Sequence, residues 1–249
     1  ETGGQNVMIV DSTALPEQVV DDAISSAFQS AGQRCSALRV LYVQEDVADV
    51  VIPMIKGAMD CLSLGNPSDL STDVGPVIDQ TARELLVNHA QRMDKEASLI
   101  NGLECPAEYE NGTFFGPRLY EISSLDQLKK EVFGPILHVI RYKASKLDDI
   151  LAQIQNTGFG LTLGVHSRIE ESAKYIFNNL DVGNTYVNRN IVGAVVGVQP
   201  FGGQGLSGTG PKAGGPRYLY RFATEKTLTI NTVATGGNTE LFAMEEDDV

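Results

Sequence analysis

A chain of 249 residues, 42% hydrophobic and 20% charged, is long enough for one large domain or two small ones around a real buried core. Its 32 acidic against 19 basic residues leave a net charge of −13, a surface that repels nucleic acid and anionic membranes, and no Lys/Arg-rich stripe offsets it. No run approaches the ~18 apolar residues of a membrane span, and three scattered cysteines, Cys35, Cys61 and Cys105, exclude a disulfide framework or a CxxC metal site and suit a reducing, cytoplasmic compartment.

The first element expected is a short buried strand over residues 6–10 (NVMIV). It follows Glu1-Thr2-Gly3-Gly4, which has neither an initiator Met nor a signal-like segment and reads as native sequence cut from a longer chain. Residues 16–29 place Val19, Val20, Ala23, Ile24, Ala27 and Phe28 at helical spacing behind Pro16, which a helix start tolerates. A strand over 38–43, helices over 46–62 and 81–93, and a short strand at Leu99-Ile100 come next. A Gly-Pro turn leads into a strand over 135–142, then a helix over 146–155, a strand over 161–165, a helix over 170–179 and a strand over 182–188. This alternation predicts a doubly wound α/β fold with a mostly parallel sheet. Residues 192–216 carry nine glycines and cannot be regular throughout; a loop this long inside a compact domain is usually functional or disordered. Alternating threonines at 224–230 read as a late strand, and the acidic end at 245–248 as a solvated tail.

Taken alone, a cysteine before an apolar strand is most often a small buried hydrophobe. Cys35 differs because a glycine and Arg34 stand before it, offering a thiolate positive charge and exposed N–H groups. Cys61, in an amphipathic helix, and Cys105, in a Glu-Cys-Pro loop, read as structural. Glu131, after Lys129-Lys130, reads from charge pattern alone as a solvated carboxylate, and Phe133 and Phe201 as core or channel residues. Residues 203–208 (GQGLSG) match G-x-G-x-x-G but lack the strand before and helix after that a dinucleotide fingerprint needs. A backbone anion pocket with the Ser207 hydroxyl added is the better reading. His89, His138 and His166 are isolated and show no metal spacing.

In chain order, Glu1-Thr2-Gly3-Gly4, Gly32-Gln33-Arg34-Cys35, Glu131-Val132-Phe133-Gly134-Pro135 and Pro200-Phe201-Gly202-Gly203 resemble the catalytic half of the aldehyde dehydrogenase superfamily over nearly the whole chain. Thr2 to Asn6 (TGGQN), Gly32 to Arg39 (GQRCSALR), Asp73 to Asp79 (DVGPVID) and Gln199 to Gly215 (QPFGGQGLSGTGPKAGG) are similar to Δ1-pyrroline-5-carboxylate dehydrogenases. The likeness is greatest to that domain of the bacterial bifunctional proline utilisation enzymes, whose C-terminus Gly236-Gly237-Asn238 also resembles.

The resemblance implies NAD-dependent oxidation of glutamate semialdehyde to glutamate. In it Cys35 attacks the aldehyde and its backbone N–H helps hold the oxyanion, while Glu1 is the general base for thioester hydrolysis. Glu131 binds the nicotinamide ribose with Phe133 nearby. Ser36, Ser207 and Gly208 hold the amino-acid end of the substrate, Phe201 lines the channel, and Asn188 lies near the active site. It further implies a homo-oligomeric parent enzyme, cytoplasmic or peripherally attached to a membrane, with FAD confined to a separate proline dehydrogenase domain. The dinucleotide-binding half expected before Glu1 is not in this sequence, so residues 1–222 are expected to be a catalytic-domain fragment, weak in NAD binding and turnover by itself, and 223–249 an oligomerisation arm and tail. Two other classes remain open at this point: a non-catalytic assembly module whose late strand, with the residues to Phe242, pairs with a partner subunit, and a cysteine hydrolase using Cys35.

Overall fold

The computed structural model describes residues 2–231 together with Val233 and Ala234. Glu1, Phe242, Gly236-Gly237-Asn238 and the acidic end lie outside the described residues. The chain divides into two compact units, Glu1–Tyr218 and Leu219–Val249.

Among the described residues, all the sheet lies in the first unit. Strand β1 (Val7–Val10) is buried throughout. Helix α1 (Pro16–Phe28) starts on its proline and buries Val19, Val20, Ala23, Ala27 and Phe28. Strand β2 (Val40–Gln44) leads directly into helix α2 (Glu45–Asp60). Helix α3 (Gln80–Glu96) is capped by the Asp79 carboxylate, which accepts from the Ala82 N–H at 2.7 Å. Strands β3 (Ser98–Gly102), β4 (Arg118–Glu121) and β5 (Ile136–Tyr142) follow, then helix α4 (Leu147–Asn156). The chain continues through β6 (Phe159–Gly160), β7 (Thr162–His166), α5 (Glu170–Asn178), β8 (Asn184–Val187) and β9 (Gln204–Gly205).

Seven strands form one sheet in the order β3-β4-β5-β2-β1-β7-β8, parallel except for the β3–β4 pair. The central strands are near-continuous apolar runs, as expected where both faces are covered. From β1 the chain steps one way to β2 and β5, then crosses back beyond β1 to β7 and β8. Right-handed crossovers running in opposite directions put α1 and α4 on opposite faces, which is the doubly wound arrangement.

Two elements differ from expectation. Strand β4 is four residues between Pro117 and the polar turn at Ser123-Ser124, too short for its alternation to stand out. Residues 224–230, expected as a strand, have no regular structure and are exposed. Alternation becomes a strand only by pairing with an edge, and among the described residues no strand pairs with this segment.

Candidate active site

The nucleophile candidate sits at the amino ends of the parallel strands. Cys35 lies in the turn that enters β2 and is reached from the C-terminal end of α1, not at a helix N-terminus. Three consecutive left-handed residues, Ser30 (φ 56°), Ala31 (φ 53°) and Gly32 (φ 64°), turn the chain back towards the sheet ahead of it. At Gly32 a Cβ would lie 2.3 Å from the Gly134 carbonyl oxygen, so this close approach needs glycine.

Two buried polar side chains hold the turn. Asn6, at the mouth of β1, donates from Nδ2 to the carbonyls of Cys35 (2.7 Å) and Ala37 (2.9 Å), while its Oδ1 accepts from the Thr162 N–H at 3.2 Å. One amide thereby ties the Cys35 turn to both β1 and β7. Arg39 is 1% exposed. Its guanidinium donates to the carbonyls of Gly32 (2.7 Å), Arg34 (3.2 Å) and Gly134 (3.2 Å), and Nε and Nη2 both reach Glu131 Oε1 at 3.2 and 3.1 Å. Burial pulls the Arg39 pKa down from its ordinary range; the Glu131 carboxylate and, behind it, Cys35 pull it back up. The buried cation thus interacts favourably with both Glu131 and a Cys35 thiolate.

Glu131 is therefore not the solvated carboxylate its flanking lysines suggested. Its Oε2 accepts from the Gly4 N–H at 3.0 Å. That approach explains Gly3-Gly4: Gly3 has φ 44°, and a Cβ there would meet Glu131 Oε2 at 2.4 Å. Phe133 is 45% exposed and lies over the Arg39 guanidinium, 5.0 Å from its ring centroid. Phe201 exchanges two backbone hydrogen bonds with Ala213, and its neighbours Pro200 and Gly202 are held by the Asn184 side chain at the amino end of β8. Cys35, Glu131, Phe133 and Phe201 thus gather at one edge of the sheet.

Other expected site residues are placed differently. Asn188 follows β8 at the carboxyl edge, four residues beyond Asn184, which is level with Thr162 and hence with Asn6. At about 3.3 Å per residue this separates it from the Cys35 edge by roughly 13 Å along the strands. There its side chain brackets Ser167, donating to the carbonyl and accepting from the N–H, a turn-holding role. Ser207 is 0% exposed and its Oγ accepts from the Gly160 N–H at 3.0 Å, so its hydroxyl is out of a ligand's reach. Within the loop the N–H groups of Leu206 and Ser207 serve the Gly158 and Gln204 carbonyls, and that of Gly208 lies 3.5 Å from the Gly205 oxygen. Ser36 is buried at 6% exposure, with its carbonyl accepting from the Thr162 hydroxyl. Glu1, the general base of the resemblance, lies outside the described residues. None of the three cysteines forms a disulfide.

The profile of the Aldehyde dehydrogenase family matches residues 1–228. The chain belongs to the aldehyde dehydrogenase family. It is 57% identical over 231 residues to the bifunctional protein PutA of Klebsiella aerogenes, a match covering 91% of this chain and 18% of that protein. To the 1-pyrroline-5-carboxylate dehydrogenase of Geobacillus sp. (strain WCH70) it is 37% identical over 233 residues, covering 92% and 44%. A crystal structure of a bifunctional proline utilization A protein superposes with a TM-score of 0.90 at 60% identity, covering 95% of this chain and 24% of that one. A 1-pyrroline-5-carboxylate dehydrogenase from Thermus with bound NAD superposes with a TM-score of 0.82 at 34% identity, covering 89% and 42%. The chain thus spans under a fifth of the curated PutA proteins it matches and under half of the single-function dehydrogenases. Among the described residues no helix is long and apolar enough to cross a membrane.

Asn6 and Arg39 stood inside the quoted motifs without a role of their own. Their trace in the sequence is positional. Each is a polar residue immediately before a fully buried apolar strand, where only a satisfied hydrogen-bonding group is tolerated.

Proposed function

We propose that this chain is the catalytic half of an enzyme that oxidises L-glutamate γ-semialdehyde to glutamate with NAD, with Cys35 as nucleophile. The observation that carries the reading is the Arg39 clamp. One buried cation binds the turn that presents Cys35 and the carboxylate that the family pattern gives to the cofactor, and so fixes nucleophile and cofactor site relative to each other.

Glu131 suits the nicotinamide ribose. A carboxylate offers about four acceptor sites, and the contacts from Arg39 and Gly4 leave room for a ribose hydroxyl. Glu131 and Phe133 would hold that end of NAD; when bound, NAD supplies the hydride acceptor. The N–H groups of residues 206 and 207 are taken, so these two offer a phosphate nothing.

In the chemistry of the chain's own residues, the Cys35 thiolate adds to the aldehyde carbon. A C–S bond forms and the carbonyl π pair moves to oxygen, where the Cys35 N–H assists. After oxidation of that carbon, water adds to the thioester, a base takes its proton, the C–S bond breaks and the thiolate leaves. Glu1 is the base assigned by the family pattern. Ser36 and the weakly engaged Gly208 N–H are the anchors for the substrate's distant carboxylate, and Phe201 lines its approach.

The hydrolase alternative finds no partner histidine. Both ring nitrogens of His138 are engaged, His89 is paired with it, and His166 lies at the carboxyl edge. The test is NADH formation from the semialdehyde by the full-length protein. Cys35→Ala is expected to abolish it, and turnover surviving that change removes Cys35 from the mechanism.

A further inference from the structure

His138, the third residue of β5, is 1% exposed and meets Arg39 twice. Its backbone N–H donates to the Arg39 carbonyl at 3.0 Å, and its ring Nδ1 lies 3.1 Å from the same oxygen. A carbonyl only accepts, so Nδ1 carries the proton. The other ring nitrogen, Nε2, lies 2.9 Å from Nε2 of His89 on α3. With its proton on Nδ1, a neutral His138 presents only a lone pair there, so His89 Nε2–H is the donor. One carbonyl therefore fixes the tautomer of both rings.

The surroundings keep the pair in that state. Tyr120 of β4 stacks on His138 at 6.3 Å and gives its hydroxyl to Asp94. Arg39 faces His138 from just before β2 and Arg92 faces both rings from α3, with Glu96 near His89. Asp126, Lys129 and Lys130 line the far side of the cavity that His89 borders. Burial and then Arg92 pull His89 down to about 4; burial and then His89 pull His138 down to about 3, against the bond to the Arg39 carbonyl. Protonating His138 would also set one N–H against another across the 2.9 Å contact.

On the other side, the Arg39 N–H donates to the Asn6 carbonyl. Its backbone is thus pinned between β1 and β5 while its side chain turns back onto the Cys35 turn. We propose that His138 is a positioning residue for the nucleophile: by saturating the Arg39 carbonyl it holds the Arg39 guanidinium on the Cys35 turn and Glu131, and His89 stands behind it by donating to its Nε2. The inference rests on reading Cys35 as the nucleophile, and it adds two residues to that site through a strand rather than through contact with substrate.

The test compares two amides in the full-length protein. In His138→Asn the amide nitrogen takes the place of Nδ1 and keeps the donor to Arg39. In His138→Gln it takes the place of Nε2 and loses that donor. The readout is the pH midpoint of Cys35 alkylation by iodoacetamide, resolved by peptide mass spectrometry, which needs no turnover. A nearby opposite charge shifts a titration by about one unit or more, so loosening the clamp should raise the midpoint by about one pH unit in His138→Gln. His138→Asn should leave it at the wild-type position. His89→Leu, a change at a partly exposed site, leaves the His138 Nε2 lone pair without its donor and the ring held from one side only, and should also raise it; this arm decides the matter if either His138 variant fails to fold. Equal midpoints in Gln, Leu and wild type overturn the proposal, as does a rise in Asn equal to that in Gln. Loss of NADH formation by the wild type would instead sink the dehydrogenase reading and leave these midpoints as they are.

Discussion

Replacing Asn6 tests whether one amide holds the Cys35 turn. In Asn6→Ala the carbonyls of Cys35 and Ala37 lose their donor and the Thr162 N–H loses its acceptor. Leaving a buried polar group unpaired costs about 1–3 kcal/mol. Three such groups give roughly 3 kcal/mol at the low end of that range, and the low end applies because the Cys35 carbonyl is only part-buried. Asn6→Asp is the sharper variant. It keeps the acceptor for Thr162 but places an oxygen against two carbonyl oxygens at the 2.7 and 2.9 Å contacts. Its loss at pH 7 should equal or exceed that of the alanine variant. The new carboxyl is favoured protonated in the folded state, since its O–H could then serve one carbonyl. Its folded pKa is raised, so its penalty should shrink as pH falls from 7 towards 5. Urea unfolding of the full-length variants reads both effects. An alanine variant within about 1 kcal/mol of wild type, below the cost of a single unpaired group at this site, would refute the reasoning, as would an aspartate variant more stable than alanine at pH 7.

Gly32→Ala should destabilise more than Gly3→Ala, although both residues have positive φ. At Gly32 the obstacle is the Gly134 backbone at 2.3 Å, which cannot step aside, whereas at Gly3 it is the tip of the Glu131 side chain at 2.4 Å. Thermal melts giving the reverse order would remove the glycines from this account. Acid stability follows from the buried histidines. Their folded pKa values, about 4 for His89 and about 3 for His138, lie below the ordinary 6.5, so the unfolded chain binds more protons between those limits. Their contribution is fully present above pH 6.5 and is lost as pH falls from there towards 4, by up to about 1.4 kcal/mol per unit for each group. A double variant, His89→Gln with His138→Asn, should flatten the stability profile across that window; an unchanged slope would assign the protons elsewhere.

Much of the fold was legible because periodicity reports burial. The apolar run before Tyr142 and the stripe of Leu147, Ile150, Leu151 and Ile154 became β5 and the buried face of α4. Strand β4 was not, since four residues carry too little alternation to read. The segment 224–230 was over-read, because alternation measures strand propensity and is silent on whether an edge is available. At the site, the motifs located Cys35, Glu131 and Phe201 on one edge. Asn188 and Ser207 mark a limit of motifs: an asparagine or serine looks the same in sequence whether its side chain faces a ligand or its own backbone. Only the hydrogen-bond geometry separates the two, and here both serve the backbone. Arg39 and Asn6 escaped for the converse reason, as their work is done on carbonyls that no sequence displays.

The site's place at the amino ends of the strands has an electrostatic consequence. In a right-handed strand–helix–strand unit the helices run opposite to the strands, so α1, α4 and α5 all end at the edge that holds Cys35. Each helix brings to that edge its unsatisfied carbonyls, equivalent to about half a negative charge. Open α/β sheets usually hold anions at the other edge, where helix amino ends greet them. Here the backbone field opposes a thiolate, a carboxylate substrate and a dinucleotide alike. Against it stands the positive charge on Arg39, buried where water screens it little and shared between the Glu131 carboxylate and the Cys35 turn. Exchanging that one guanidinium for a neutral side chain would not merely weaken the local potential but leave the Glu131 carboxylate and the helix ends adding with one sign.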